Sequence, residues 1–277
     1  MPIDLEKEYN NRARVPEHPG IFARWANEAS TYRMRPDAEL DLFYGPSPKQ
    51  ILDIFPAGDD APLALFIHGG WWRSLSPKDF SQMAAGPNAH GVTVAVAGYD
   101  LCPQVGIADI VGEMRAACLF LWRKYRRHIT VYGHSAGGHL SACMVATDWT
   151  TLAPDAPADL VPAAYAVSGV YDLAPLTKIS VNDDLRLNET CAHALSPLYW
   201  RVPAGRILDA VVGAEESSEF LRQSQIIAEA WRQGLATTRY EVLLGNHFTV
   251  IDPLSDAGSG MTRRVVELAR AVHAEDR

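Results

Sequence analysis

The sequence predicts an α/β fold, a mostly parallel sheet covered by helices on both faces. Three observations lead there. Apolar runs such as Leu63-Ala64-Leu65-Phe66-Ile67 and Val92-Thr93-Val94-Ala95-Val96-Ala97 show no polar alternation, as expected of strands buried on both faces. Segments with helical spacing separate such runs, and that alternation implies parallel crossovers. The 277 residues, 48% hydrophobic and 21% charged, can bury a large core. One domain over 1–277 is expected, because α/β folds often run past about 250 residues as one unit. Disordered chains, coiled coils and collagen-like fibres are excluded by the same composition.

The elements follow in order. Residues 1–40 mix polar and aromatic side chains with Pro16, Pro19 and Pro36, and read as a partly helical leader. Ile51–Phe55 is a short strand ending at Pro56-Ala57-Gly58. Leu63–Ile67 and Val92–Ala97 are central strands. Ile110, Met114, Ala117, Leu121 and Tyr125 fall on one side of a helix over 107–126. Ile129–Tyr132 is a strand, followed by a helix to about Thr147. Ala163–Ser168 and Ile207–Val212 are further strands. A helix fits Glu219–Arg232, a strand Arg239–Leu244 and a last helix Met261–Ala274. The stretch 171–203 is long for a loop and mixes polar with apolar residues, so it reads as a small lid-like excursion over the sheet.

Charge and cysteine usage narrow the function. Twenty-five basic against 33 acidic residues leave a net charge of −8, and no basic face is available for phosphate neutralisation. Nucleic acid is therefore not an expected partner. Cys102, Cys118, Cys143 and Cys191 form no C-x-x-C and are too scattered for a disulfide framework. Residues 1–8 lack the basic and apolar regions of a signal peptide, and no apolar stretch reaches the roughly 18 residues that span a membrane. A cytoplasmic protein is expected, with a small-molecule substrate, no membrane partner, and a homodimer left open.

Gly133-His134-Ser135-Ala136-Gly137 is G-x-S-x-G, placed between a strand and a helix. Three fixed small residues at about 7% each arise by chance about 0.1 times in such a chain, so the context carries the argument. A serine on that sharp turn presents its hydroxyl above the sheet as a nucleophile. His68-Gly69-Gly70-Trp71-Trp72 follows an earlier strand. Backbone N–H groups of Gly70 and Trp71, with that of Ala136 after the serine, can hold an oxyanion. His68 reads as a turn-stabilising hydrogen bonder. His68, His134 and His139 have no metal-ligand spacing, and no metal or cofactor is expected. Gly133–Gly138 is not G-x-G-x-x-G, which removes dinucleotide binding.

A serine nucleophile needs a base and an orienting acid, in the order Ser, acid, His. His247 stands just after the last strand, whereas His193 lies in the excursion. The acid should follow Ile207–Val212, where Glu215, Glu216 and Glu219 are the choices and Glu216 is preferred. Asp209 lies within the strand and Asp252 beyond the histidine. Glu219 also suits the first turn of a helix, where the dipole favours an acid.

Together these motifs resemble the kynurenine formamidase (arylformamidase) branch of the α/β-hydrolase esterase and lipase group. The likeness runs from about Tyr44 to Ile251. It rests on His68-Gly69-Gly70-Trp71-Trp72 (H-G-G-x-W), Tyr99-Asp100-Leu101-Cys102-Pro103, the Ser135 elbow, Gly169–Leu173, Leu195-Ser196-Pro197, Glu219–Ser224 and Asn246-His247-Phe248. The resemblance implies a cofactor-free serine hydrolase that cleaves N-formyl-L-kynurenine to kynurenine and formate. It implies Ser135 as nucleophile, His247 as base and Glu216 as acid, a position where the family commonly has aspartate. Trp71, Trp72, Tyr99, Tyr171 and Asn182 are candidate substrate walls, with plain packing as the alternative. A general carboxylesterase shares every one of these catalytic residues. A non-catalytic ligand binder on the same fold is the remaining alternative.

Overall fold

The computed structural model describes residues 3–274 and 276. Helices α1 (Leu5–Tyr9), α2 (Asn11–Arg14) and α3 (His18–Arg33) precede strand β1 (Glu39–Phe43). Next come β2 (Ile51–Phe55), β3 (Leu63–Ile67), α4 (Ala85–Ala89), β4 (Thr93–Ala97), α5 (Ile107–Tyr125), β5 (Ile129–His134) and α6 (Ala136–Val145). After β6 (Ala163–Val167) come the short helices α7 (Asn182–Leu185) and α8 (Glu189–Ala194). The chain then forms β7 (Ile207–Gly213), α9 (Ser218–Gln233), β8 (Thr237–Leu243) and α10 (Gly260–Ala274).

Among the described residues the strands make one eight-stranded sheet, in the order β1-β2-β4-β3-β5-β6-β7-β8. The β1–β2 and β2–β4 pairs are antiparallel and the others parallel. Register places Leu65 of β3 beside Ala95 of β4 and Val131 of β5. Every residue of β2 through β6 is buried, as the unbroken apolar runs require. Within β3, Leu63, Leu65 and Ile67 pack toward α5, α6 and α9, against residues such as Met114, Leu140 and Phe220. Ala64 and Phe66 pack toward the other layer, with Trp25 of α3 and Val265 of α10.

Two features depart from the sequence reading. The leader is helical only to Arg33, because Glu39–Phe43 adds an edge strand. Five half-exposed residues that include Glu39 and Asp41 carry too little apolar signal to be seen in advance. The excursion at 171–203 contributes no residue to the cleft over Ser135. It packs beside the sheet ends, where Leu195 O accepts from His139 Nε2 at 2.8 Å and Pro197 O from Trp231 Nε1 at 3.1 Å. It also braces the leader, since Glu6 accepts from the Ser180 amide and hydroxyl, each at 2.8 Å.

Two strand carboxylates are neutralised from the flanking helices. Arg33 of α3 pairs with buried Asp53 of β2. Arg264 of α10 reaches buried Asp209 of β7 through Nε at 2.6 Å and Nη2 at 3.3 Å. A buried carboxylate without such a partner would be costly. These pairs pin α3 and α10 to the sheet. No helix among the described residues is long and apolar enough to cross a membrane.

The Asp209 pair gives a stability test. Arg264→Met should cost about 3–5 kcal/mol, because it strands the carboxylate. The double variant Asp209→Leu/Arg264→Met should recover most of that loss. Urea denaturation of both reads the difference; equal losses would show that the lost contact is packing rather than charge.

Candidate active site

The site is built from turns at the carboxyl ends of β3, β5, β7 and β8. The first turn follows β5. Ser135 adopts φ 57° and ψ −116°, a sparsely populated conformation for a side-chain-bearing residue. Gly137 is required next to it, because a Cβ there would stand 1.9 Å from the Ile67 carbonyl oxygen. The strain is held by the Ser135 amide donating to Val167 O at 2.8 Å. Ser135 thereby sits at the start of α6, with its hydroxyl in a cleft.

The turn after β3 lies alongside. Gly70 has φ 109°, and a Cβ there would meet Ser74 O at 2.3 Å. Trp71 and Trp72 also adopt positive φ. A stack beneath supports this backbone: the His68 ring lies 4.2 Å from Tyr99 and 5.8 Å from Phe80, nearly parallel to both. The Tyr99 hydroxyl donates to His68 O at 2.9 Å. His68 Nδ1 contacts Gly69 O at 2.7 Å, as expected of a turn stabiliser. Burial depresses the His68 pKa to about 4, so the ring stays neutral. Among the described residues, the amides of Gly70, Trp71 and Ala136 have no protein acceptor. They are free to receive an oxyanion.

Base and acid come from the other half of the sheet. His247 Nε2 lies 3.1 Å from Ser135 Oγ, and its Nδ1 lies 2.6 Å from Glu216 Oε2. Glu216 Oε1 accepts from the Gly213 amide at 2.8 Å and the Ser168 hydroxyl at 2.5 Å. With the carboxylate so held, Nδ1 of His247 carries the hydrogen and Nε2 is left to accept from serine. All three side chains are buried. The His247 turn is braced by Asn246 Oδ1, which accepts from the Phe248 and Thr249 amides at 3.0 and 3.1 Å. His134, beside the serine, donates from Nε2 to His247 O at 2.7 Å. Burial, then the neighbouring His247, push its pKa well below the usual imidazole range.

The three glutamates part by geometry. Glu216 meets the imidazole, whereas Glu215 is exposed. Glu219 is turned to structure, bonding Arg222 at 2.7 and 2.9 Å and accepting from the Tyr9 hydroxyl at 2.8 Å. Burial alone would raise its pKa, but the Arg222 and Tyr9 hydrogen bonds outweigh it and lower it. Asp252 is used elsewhere, accepting from Trp25 Nε1 at 2.8 Å.

A narrow cleft opens over Ser135 and His247. Its walls correct the expected substrate contacts. Trp72, Tyr99 and Tyr171 are buried in the core, and none lines the cleft. Asn182 caps its own loop, bonding Thr177 O, Leu187 O and the Leu187 amide. The actual walls include Phe22, Trp25, Trp71, Phe80 and Phe248, with Asn11 and Arg12. Three of these aromatic rings interlock: Phe22 stacks on Trp25 at 5.4 Å and meets Phe248 edge-on at 5.0 Å. Phe22 and Trp25 stand three residues apart in α3, a spacing that places both on one helical face. That was the signal available in the leader; nothing in it pointed to the site across the fold. No His, Cys, Asp and Glu group among the described residues is arranged to hold a metal.

The sequence is 31% identical over 245 residues to a kynurenine formamidase of Salmo salar, covering 83% of this chain and 81% of that protein. It is 29% identical over 243 residues to one of Danio rerio, with the same coverage. No family model matches the chain. A solved structure from Silicibacter sp. TM1040, provisionally described as a thioesterase, superposes with a TM-score of 0.84 at 30% identity. It covers 95% of this chain and 99% of that one. An esterase of Pyrobaculum calidifontis shares the fold at 13% identity and a TM-score of 0.68, covering 93% and 92%.

Removing the Ser168 hydroxyl isolates the hold on Glu216. Ser168→Ala leaves the Gly213 amide as the other donor to Oε1. Hydrolytic kcat should fall about tenfold, the scale of one hydrogen bond to a charged group, with KM little altered. Steady-state kinetics test this; an undiminished kcat would show that Gly213 alone orients the acid.

Proposed function

The chain belongs to the kynurenine formamidase family of α/β-hydrolases, and from that premise we propose that it hydrolyses N-formyl-L-kynurenine to kynurenine and formate. The hydrolase class, of the arylformamidase and esterase type, goes with the family. The observation that carries the substrate reading is the cleft: a small space over the serine, walled by aromatic rings. A formyl group needs almost no acyl pocket. The aryl amine needs flat apolar walls, and Phe22, Trp25 and Phe248 supply them.

In the proposed mechanism Ser135 Oγ attacks the formamide carbon while its proton passes to His247 Nε2. Negative charge then develops on the formyl oxygen, where the free amides of Gly70, Trp71 and Ala136 receive it. Glu216 stabilises the imidazolium through Nδ1–H and stays ionised itself. His247 next returns the proton to the aryl amine nitrogen, and kynurenine leaves. Water, deprotonated by His247, attacks the formyl-serine ester and releases formate. His134 supports the base without sharing its proton, through its bond to the His247 carbonyl.

Two outcomes follow. Ser135→Ala should lower kcat by about 10⁶-fold, the scale for loss of a serine nucleophile. Steady-state rates on N-formyl-L-kynurenine beside p-nitrophenyl acetate test the substrate. Hydrolysis of the ester alone would leave a general carboxylesterase; a mutant that keeps its rate would remove Ser135 as nucleophile. The second concerns pH. Burial holds His68 and His139 at about 4, and burial with His247 puts His134 well below its usual range, so these rings stay neutral near neutral pH. Only neutral His247 accepts the serine proton, so kcat/KM should rise with pH along a one-proton limb. A two-proton slope would bring in a second ring, and a flat profile would remove His247 as base.

A further inference from the structure

We propose that the N-terminal segment is the specificity element of the cleft and binds a carboxylate on the substrate's leaving group, through Arg12 and Asn11. The inference rests on the hydrolase reading above and adds what the enzyme selects: aryl formamides or esters with an anionic tail.

Arg12 and Asn11 both belong to α2, and both line the cleft that holds Ser135 and His247. Arg12 supplies the permanent positive charge of that cleft, whose other walls are mostly aromatic. Among the described residues its guanidinium has no carboxylate partner. It lies 5.7 Å from the centroid of the Phe22 ring, which aligns it on the cleft wall. Arg24 and Arg33, on the following helix, are by contrast paired with Asp252 and Asp53. An unpaired guanidinium beside an apolar slot is suited to a carboxylate, which it can meet with two parallel hydrogen bonds.

The second observation is independent of charge. Asn11 is 3% exposed, and its Nδ2 is buried without a hydrogen-bond partner among the described residues. A buried donor left unpaired lowers stability, and such groups in native proteins call for an explanation. An acceptor on a bound ligand supplies one. A second cleft that Asn11 and His247 also line is bordered by Asp4, Glu6, Glu17, Glu215 and Glu216 against Lys7 and Arg14. That lining is acidic in balance, whereas Arg12 stands without a carboxylate in the cleft over Ser135.

The segment is held in position before any ligand arrives. The Tyr9 hydroxyl donates to Glu219 and accepts from Gln223 Nε2, each at 2.8 Å. Glu8 accepts from the Ser218 hydroxyl at 2.7 Å. These bonds tie α1 to α9, so the tail-binding groups meet substrate with little ordering cost.

The test is a selectivity ratio, kcat/KM for N-formyl-L-kynurenine divided by that for uncharged formanilide. Arg12→Ala should lower the ratio about tenfold or more, mainly through KM of the charged substrate. Arg12→Lys should recover part of it, and Arg12→Glu should lower it further. Asn11→Ala should lower it in the same direction. Arg12 is exposed, so its variants keep the fold, and the ratio cancels any uniform loss of activity. An unchanged ratio in Arg12→Ala and Arg12→Glu overturns the proposal. If the wild-type protein cleaves neither formamide, the formamidase reading fails by itself. The ratio is then measured with 3-acetoxybenzoate and phenyl acetate. The same fall supports the carboxylate site, and an unchanged ratio overturns it.

Discussion

The close crossing of two turns, one after β3 and one after β5, is the constraint on which the site depends. The two strands are parallel neighbours, so their carboxyl ends emerge side by side. A Cβ on Gly137 would strike the Ile67 carbonyl, and one on Gly69 would come within 2.8 Å of the His134 carbonyl. The turns are therefore interleaved at backbone contact distance. That contact brings the amides of Gly70 and Trp71 to the same cleft as Ser135. The cost is backbone strain at Ser135, Trp71 and Trp72, all at positive φ. The buried stack of His68, Tyr99 and Phe80 offsets it from below. This explains why Tyr99 is a support for the oxyanion turn and not a wall for substrate.

The acid and base turns are stitched together in the same manner. The Ala214 amide donates to Leu243 O at 2.7 Å, and the Glu215 amide to Gly245 O at 3.1 Å. Because β7 and β8 are parallel neighbours, these bonds set the turns after them in fixed register. Glu216 and His247 then meet at 2.6 Å with their backbones already placed. The bond from His134 to the His247 carbonyl joins this half to the nucleophile turn. Four turns thus act as one rigid unit, which is what positioning catalysis requires.

Much of this was legible in the chain. The central strands were readable because burial on both faces leaves unbroken apolar runs. Ser135 and the two-glycine turn were readable because close backbone approach admits almost no other residue type. His247 followed from chain order. Glu216 was narrower: three glutamates within five positions share charge and reach, and only the Gly213 amide and Ser168 hydroxyl single one out. Ser168 itself carried no signal. Its hydroxyl matters because β6 lies beside β7, a fact of sheet order.

The leader and the excursion exchanged roles for a similar reason. A long mixed segment between β6 and β7 reads as a lid, and a short helical leader reads as packing. In the fold, the leader lines the cleft and the excursion braces it through Ser180 and Glu6. By itself the sequence determined the fold class, and it pointed to the two glycine-rich turns and the histidine that the fold brings together. These depend on local backbone demands that particular residues meet within a few positions. The tertiary structure decided that Glu216, preferred among three glutamates in the sequence, is the one that faces His247, and which residues line the cleft. Such contacts join residues far apart in the chain, 31 positions for Glu216 and His247 and more than a hundred for the leader and Ser135, and no local pattern records where a folded chain brings them together.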